Sequence, residues 1–376
     1  MLQLVIVTAL SILLCLITNI KSREKIWFLL SMLIITFFFA IRYDYGLDYV
    51  AYHDLFDRGA SSTTYRGDQE QLFYSFMSIF PYFYQFVIVY TILIMGGVFL
   101  LAKKMCSAKY YALFIFSFML IVGLAANLMS SMRSSLAALI LWVGLYFFYI
   151  LKKRWIIFSV IVLFASGFHL SVLSFLTLPI FDYLFCKIKP QTTFAIICFC
   201  YIFSFFGDLF LFEQIISVNN VFNSYANYYD FMDKNSRSVF GLLNNAIYLL
   251  PTYFICKNKN EFVKKRCSGI YIISIVYMII FSLNLDFQGR FTSYIGLFFI
   301  LAVCQLLEFS SPHIISNYGR KEIVFRNTTY IILPLVFKTL LDFYKYCLSL
   351  TSSFYTNIEG NPLLYRTIFD APYFPF

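Results

Sequence analysis

Residues 42–56 interleave charged side chains with tyrosines, directly after an uncharged apolar run. The segment contains Arg42, Asp44, Asp48 and Tyr52. A guanidinium group binds phosphate oxygens in pairs, while carboxylates and phenols hydrogen-bond to sugar hydroxyls. This set of groups at a membrane boundary predicts a site for a charged, hydroxyl-rich substrate whose lipid tail stays in the bilayer.

Three more isolated arginines, Arg133, Arg290 and Arg366, follow or precede apolar runs in the same way as Arg42. Arginine keeps its charge at physiological pH, so each must find an anion, the membrane interface or water. If the four converge, they form a cluster that binds the di- or tri-anionic group of a lipid diphosphate. The alternative for any one of them is ordinary snorkelling to lipid head groups.

Two residues are candidates for a general base. Asp44 is close enough in sequence to pair with Arg42, which makes Asp48 the better candidate of the two aspartates. His169 lies in the turn Gly167-Phe-His169, where an imidazole can exchange protons near neutral pH. The alternatives are that both aspartates solvate an outer loop and that His169 is a hydrogen-bonded structural residue.

Composition predicts the elements that must position these groups. Of the 376 residues 61% are hydrophobic and 13% are charged, which is too apolar for a soluble domain of this length. Apolar stretches recur that are long enough to cross a hydrocarbon core of about 30 Å as helices. We therefore predict an all-α, polytopic membrane protein, a single domain over 1–376 with about twelve spans: 2–20, 26–41, 82–101, 110–126, 134–151, 155–167, 170–185, 192–212, 239–256, 268–285, 291–307 and 328–350.

The spans 155–167 and 170–185 are short and meet at the His169 turn. Short or interrupted helices that meet at membrane depth are common where a binding site is built. The alternative is a tight hairpin whose mismatch with the bilayer is absorbed by tilt or local thinning.

Lysine and arginine concentrate in alternate breaks between the spans, for example in 103–109, 152–154 and 257–266. Basic residues accumulate on the cytoplasmic side, so these breaks are predicted to be cytoplasmic and both termini periplasmic. The main periplasmic segments are then 42–81, 213–238 and 351–376. The net charge of +10 is thereby explained by topology, and nucleic-acid binding is not expected. The cysteines fall within spans or on the cytoplasmic side, which indicates neither a disulfide framework nor a metal site.

Five short motifs occur in order along the chain and on one predicted face of the membrane. They are Arg42-Tyr-Asp-Tyr-Gly46-Leu-Asp48 with Tyr52, Ser-Met-Arg133-Ser-Ser, Gly-Phe-His169-Leu-Ser, Gly289-Arg290-Phe and Tyr365-Arg366-Thr-Ile-Phe. This pattern resembles the EpsG-like family of bacterial polysaccharide polymerases, the Wzy-type O-antigen polymerases. The resemblance runs from residue 42 to the tail.

The resemblance implies a GT-C-like membrane glycosyltransferase of the bacterial inner membrane that works at the periplasmic face. Its substrates would be undecaprenyl-diphosphate-linked oligosaccharides, as donor and acceptor, joined into O-antigen or capsule with the lipid diphosphate as leaving group. Membrane lipid and a chain-length regulator protein are the other implied partners. On this chain Arg42, Arg133, Arg290 and Arg366 would bind diphosphates, and Asp48 or His169 would deprotonate the acceptor hydroxyl. No metal or other cofactor is expected.

Two other function classes fit the same composition. A lipid-linked oligosaccharide flippase or other transporter should place charges within the spans, as Lys338, Asp342 and Lys345 do in the last one. A membrane acyltransferase should carry a histidine on the cytoplasmic side, where His313 is the one candidate. The concentration of charge at the predicted outer ends of the spans favours the polymerase.

Overall fold

The computed structural model describes residues 2–18, 24–43, 48–59, 70–120, 124–150, 155–206, 246–264, 267–283, 288–310, 331–333, 336–337, 340 and 366–367. Most of them are helical. The α-helices are α1 (Leu2–Thr18), α2 (Glu24–Ala40), α3 (Tyr49–Asp57), α4 (Gln71–Met77), α5 (Phe83–Met105), α6 (Tyr111–Leu120), α7 (Leu124–Ser130), α8 (Met132–Leu145), α9 (Trp155–Ser166), α10 (Leu178–Lys187), α11 (Pro190–Phe206), α12 (Leu249–Lys257), α13 (Lys259–Lys264), α14 (Ser268–Ser282) and α15 (Gln288–Ser310).

Shorter elements complete the described chain. A 3₁₀ turn over Ala108–Tyr110 precedes α6, a π-helical turn over Tyr146–Ile150 follows α8, and a 3₁₀ helix over Leu170–Thr177 runs into α10. Two two-residue strands, β1 (Arg42–Tyr43) and β2 (Arg366–Thr367), pair in antiparallel fashion.

The predicted spans match helices of the structure at most positions. Within the described residues three segments are long and apolar enough to cross a membrane, Phe83–Met105, Leu170–Lys187 and Phe291–Phe309, and seven shorter apolar helices lie at other predicted spans. Helix α12 covers the second half of the predicted span 239–256. The chain is thus a mostly helical membrane protein, as its composition indicates. The count of twelve spans, the side of each terminus and the GT-C-like arrangement stay predictions.

The outward surface of α9 shows why these helices need a lipid environment. Ile156, Val160, Leu163 and Phe164 recur at helical spacing, and each is more than half exposed. A contiguous apolar stripe of this kind is unfavourable in water and favourable against acyl chains. The stripe therefore faces lipid, and the opposite side of α9, including Val162 and Ala165, is buried against the rest of the protein.

Helix α15 is the centre of the packing. It contacts α5, α6, α7, α8, α12 and α14, and its apolar stretch Phe291–Phe309 is almost wholly buried within the protein. Hydrogen bonds tie its backbone and side chains to neighbouring helices. Trp142 Nε1 donates to Tyr294 O at 2.7 Å, and Gln305 Nε2 donates to Met105 O at 2.7 Å.

The described residues of the predicted periplasmic segment 42–81 form short elements. It begins with β1 and contains the two short helices α3 and α4. Tyr49 and Tyr52 of α3 are buried, as are Phe73 and Met77 of α4, so both helices dock on the helical core. This docking carries polar residues of a loop region onto the ends of the long helices.

Candidate functional site

The junction between α7 and α8 is where the polar groups of the segment 42–81 meet the helical core. Ser131 leaves the helical conformation there, with φ −86° and ψ 72°, and separates the two helices. The backbone carbonyl of Met129 accepts a hydrogen bond from Arg42. Ser130 and Ser131 contact Asp48. Arg133 contacts Tyr52 and Glu70. The predicted motif Ser-Met-Arg133-Ser-Ser thus lies at the junction.

A single carboxylate joins Arg133 to His169. Arg133 Nη1 donates to Glu70 Oε2 at 2.6 Å, and His169 Nδ1 lies 2.5 Å from Glu70 Oε1. The backbone N–H of Leu170 also donates to Oε1, at 3.3 Å. Three elements distant in sequence, α4, α8 and the turn before the 3₁₀ helix, therefore meet at Glu70.

Glu70 is the residue that sequence reasoning missed. It precedes α4, which is too short to stand out in hydropathy, and the site residues predicted from the segment 42–81 end at Tyr52. The one signal was an acidic residue immediately before the apolar sequence Gln71–Met77. A buried Glu with a 5% exposed surface needs a cationic or hydrogen-bonding partner, and no sequence pattern identifies that partner.

A close backbone contact sets the position of Glu70. Leu72 N donates to Gly167 O at 3.1 Å, which places the first turn of α4 on the turn that carries His169. A Cβ at position 167 would overlap the Leu72 side chain, so the glycine permits this approach. The glycine of the predicted Gly-Phe-His169 motif therefore has a steric role beside the histidine.

Tyr52 and Asp48 approach the same junction from α3. Arg133 Nε donates to the Tyr52 hydroxyl at 3.4 Å, and the guanidinium carbon lies 5.8 Å from the centroid of the Tyr52 ring. Ser131 Oγ donates to Asp48 Oδ2 at 3.3 Å, and Asp48 N donates to Ser130 Oγ at 3.4 Å. The structure therefore brings four predicted residues, Asp48, Tyr52, Arg133 and His169, to one region.

Arg42 lies in a different environment. Its side chain has no exposed surface, and it donates to Phe39 O at 2.5 Å, Thr91 Oγ1 at 2.7 Å and Met129 O at 3.1 Å. Phe39 and Met129 lie in the last turns of α2 and α7, whose terminal carbonyls carry partial negative charge. The Arg42 guanidinium thus stabilises two helix C-termini at once.

Arg290 and Arg366 are described in their backbone. Arg290 lies in the first turn of α15, next to Phe291, whose ring centroid is 5.8 Å from that of Phe175 in the 3₁₀ helix after His169. Arg366 pairs with Tyr43 in the two-stranded sheet, beside Arg42. Asp44, Lys338, Asp342, Lys345 and His313 lie outside the described residues, as do segment 213–238 and most of 351–376.

Asp48, Tyr52, Glu70, Arg133 and His169 form a cluster at the α7–α8 junction, and its electrostatics favour an ionised Glu70 carboxylate. Burial by itself raises the pKa of the Glu70 carboxyl, but the hydrogen bond and charge of His169 and the charge of Arg133 outweigh burial and hold that pKa below its usual range. Burial raises the pKa of the Tyr52 phenol, and the Arg133 charge opposes that shift. At neutral pH, Glu70 is a carboxylate and Tyr52 is a neutral phenol.

The cluster leaves two groups for chemistry. The side chain of Arg133 is 27% exposed, and its Nη2 makes no hydrogen bond to a described residue, so it is open to an anion. His169 is held through Nδ1, which leaves Nε2 as the nitrogen for proton transfer. In the part of the chain that the structure describes, no three His, Cys, Asp or Glu side chains are grouped to hold a metal ion.

Comparison with known proteins identifies the family of the chain. The model of the EpsG family matches residues 25–352, which include all the elements of the cluster. Neither a curated protein nor a solved structure matches the chain.

Proposed function

This chain belongs to the EpsG family of membrane proteins of polysaccharide biosynthesis, and we propose that it polymerises lipid-diphosphate-linked oligosaccharide units at the periplasmic face of the bacterial inner membrane. The observation that carries the proposal is the Glu70 carboxylate, which holds an arginine on one oxygen and a histidine on the other. The Arg133 guanidinium, an anion-binding group, and the His169 imidazole, a proton acceptor, thereby contact the same carboxylate. These are the two groups that glycosyl transfer from a diphosphate requires.

The proposed step is a displacement at the anomeric carbon of the donor sugar. An acceptor hydroxyl oxygen forms the new bond to that carbon, and the bond from carbon to the diphosphate oxygen breaks. The diphosphate leaves with the bonding electron pair, next to the charge of Arg133, and the hydroxyl proton passes to His169 Nε2. Positioning of two substrates, one base and stabilisation of the leaving charge are sufficient for such a reaction.

The predicted residues divide between this step and its support. Arg133 binds the leaving diphosphate, with Arg290 and Arg366 as further ligands on neighbouring elements. Tyr52 and Asp48 lie on the same side of the junction and suit sugar hydroxyls, and Asp48 is the second candidate for the base. The donor and acceptor are both undecaprenyl-diphosphate-linked units, and the product is O-antigen or capsular polysaccharide.

Deletion of the gene tests the polymerase directly. We expect cell-surface polysaccharide to collapse from a ladder to a single repeat unit, with lipid-linked single units accumulating in the periplasmic leaflet. Complementation with Arg133→Ala or His169→Ala should not restore the ladder. His53→Gln on α3 and Arg58→Ala at its end are matched controls, since the Arg58 side chain is 70% exposed and that of His53 is 39% exposed.

Two results would contradict the proposal. A ladder that persists in the deletion strain rules out polymerisation by this protein. Accumulation of lipid-linked units in the cytoplasmic leaflet instead indicates the flippase. Membrane levels of each variant, measured by immunoblotting, separate lost activity from lost protein.

A further inference from the structure

The Glu70 carboxylate is approached by nitrogen groups of three residues. Arg133 Nη1 donates to Oε2, and the Leu170 backbone N–H donates to Oε1, which is also 2.5 Å from His169 Nδ1. Glu70 and His169 are 5% and 9% exposed, so bulk water does not compete freely for these contacts. The carboxylate therefore decides where the proton of the imidazole lies.

An ionised carboxylate only accepts hydrogen bonds, so the nitrogen that faces it must carry a proton. The nitrogen facing Glu70 is Nδ1. In a neutral imidazole the other nitrogen, Nε2, then carries a lone pair. We propose that Glu70 is a positioning residue that holds His169 in the Nδ1–H tautomer, so that Nε2 is the atom that accepts the proton of the acceptor hydroxyl. The catalytic consequence of this role rests on the proposed function, whereas the tautomer of His169 does not.

The backbone around the pair keeps its geometry constant. The contact between Leu72 N and Gly167 O fixes α4 against the turn, and His169 N donates to Ala165 O at 3.2 Å, which fixes the turn to the end of α9. Glu70 cannot move away from His169 without breaking the first contact or the Arg133 ion pair. The imidazole is thus oriented before substrate binds, which lowers the entropic cost of reaching the transition state.

During transfer Nε2 takes the hydroxyl proton and the imidazole becomes a cation. The Glu70 carboxylate, already next to Nδ1–H, stabilises that positive charge. The proton then leaves from Nε2 to water or to the departing diphosphate, which returns the histidine to its starting tautomer. Glu70 itself exchanges no proton in this cycle.

Glu70→Gln tests the proposal because it retains the size of the side chain and removes one acceptor. The amide has one oxygen, which turns to the charged Arg133 donor, and the NH₂ group then turns to Nδ1 with loss of the longer hydrogen bond from Leu170 N–H. A donor facing Nδ1 makes Nδ1 the acceptor and moves the imidazole proton to Nε2. We therefore expect Glu70→Gln to lower kcat by about 100-fold or more with KM little changed.

The decisive measurement is the tautomer itself, by ¹⁵N–¹³C correlation NMR of histidine-labelled full-length protein in bilayers. The chain has three histidines, so the double variant His53→Gln/His313→Gln leaves only His169 labelled. In spectra recorded at a pH that shows a neutral imidazole ring, we expect the Nδ1–H tautomer in this background and the Nε2–H tautomer after Glu70→Gln. Glu261→Gln, on an exposed Lys264 pair in α13, is the control that should leave the tautomer unchanged.

The two proposals fail separately. If Glu70→Gln leaves the His169 tautomer unchanged, or the Nε2–H form is already present with Glu70, the positioning role is wrong even where the deletion strain loses its ladder. If the tautomer switches as expected while the deletion strain retains its ladder, the positioning role stands and the polymerase is wrong. Glu70→Asp adds an intermediate point. Its shorter side chain keeps the carboxylate but cannot reach both partners, so its activity should lie between those of the wild type and Glu70→Gln.

Discussion

Arg42 and Arg133 are two isolated arginines on either side of the same helix junction, and the protein uses them differently. Arg42 is fully buried and donates to the carbonyls of Phe39 and Met129 at two helix ends. Arg133 pairs with the Glu70 carboxylate, and 27% of its side-chain surface is exposed. Chain segments surround the first arginine, whereas the second remains open to an incoming anion.

Under the proposed function, access to the guanidinium, more than residue type, separates an arginine that supports the fold from one that binds substrate. A buried guanidinium whose donors meet backbone carbonyls stabilises the fold, because its removal leaves polar groups buried without partners. A guanidinium that is part-exposed beside a histidine can bind a substrate anion and stabilise charge that develops during reaction. Diphosphate binding by Arg42 stays a prediction from sequence, and paired variants of the two arginines test it.

The largest effect is expected from Arg133→Gln. Glutamine is shorter and uncharged, so it removes both the ion pair with Glu70 and the charge that the proposed mechanism places next to the leaving diphosphate. We expect turnover of lipid-linked units per folded molecule of purified protein to fall about 100-fold or more. Arg58→Gln is the control, and equal activity of the two variants would contradict a binding role for Arg133.

Arg42→Met should lower stability more than activity. The substitution leaves the carbonyls of Phe39 and Met129 without this donor, at a cost of about 1–3 kcal/mol for each. We expect a several-fold lower yield of monodisperse protein and a lower unfolding temperature in detergent. Turnover per folded molecule should fall far less than in Arg133→Gln, and an equal fall would instead support Arg42 as a diphosphate ligand.

Lys259 offers a third cation for the same comparison, since it resembles Arg42 in its partners. Its Nζ donates to the carbonyls of Phe185, Cys186 and Ile188 at the end of α10, at 2.7–2.8 Å. We expect Lys259→Met to destabilise the protein by about 1 kcal/mol, measured as a small fall in unfolding temperature, while the polysaccharide ladder persists. Lys264→Met, at a 70% exposed side chain, is the control for charge alone.

The smallest effect is a dependence of stability on pH. The charges of His169 and Arg133 hold the pKa of Glu70 below its usual range, against the effect of burial. A carboxyl with a lower pKa in the folded protein stabilises it above about pH 4.3 and loses that contribution as the pH falls through the folded-state pKa. Unfolding temperatures between pH 6 and 3.5 should therefore fall more steeply for the wild type than for Glu70→Gln. Parallel curves would contradict an ionised Glu70.

Much of the fold could be predicted because burial in lipid requires long apolar helices, and such helices are visible as apolar runs. The predicted spans 82–101 and 291–307 correspond to Phe83–Met105 and Phe291–Phe309. The ends of the helices were harder to predict. The predicted span 110–126 contains α6 and the start of α7, and α8 begins at Met132, ahead of the predicted span 134–151, because its start is set by contacts of Ser131 and Arg133 across the fold.

The sequence predicts only part of the candidate site, because contacts between residues distant in the chain complete it. Arg133 and His169 stand out as charged or titratable groups between apolar runs, so sequence alone identifies them. Glu70 does not stand out, because its importance comes from the docking of α4 on Gly167, a contact between residues nearly a hundred positions apart. The burial of Arg42 was also not predictable, since it depends on which helix ends meet there.

The α7–α8 junction makes α3 and α4 inseparable from the core they rest on. Under the proposed function, exchanging α3 and α4, with the residue that precedes each, between relatives is a way to alter which sugars are joined. Such chimeras will work only if the donor segment keeps Asp48, Tyr52 and Glu70 in register with Ser131, Arg133 and His169. Residues at the junction must therefore change together or not at all, and co-inherited substitutions across it are the expected mark of divergence in the family.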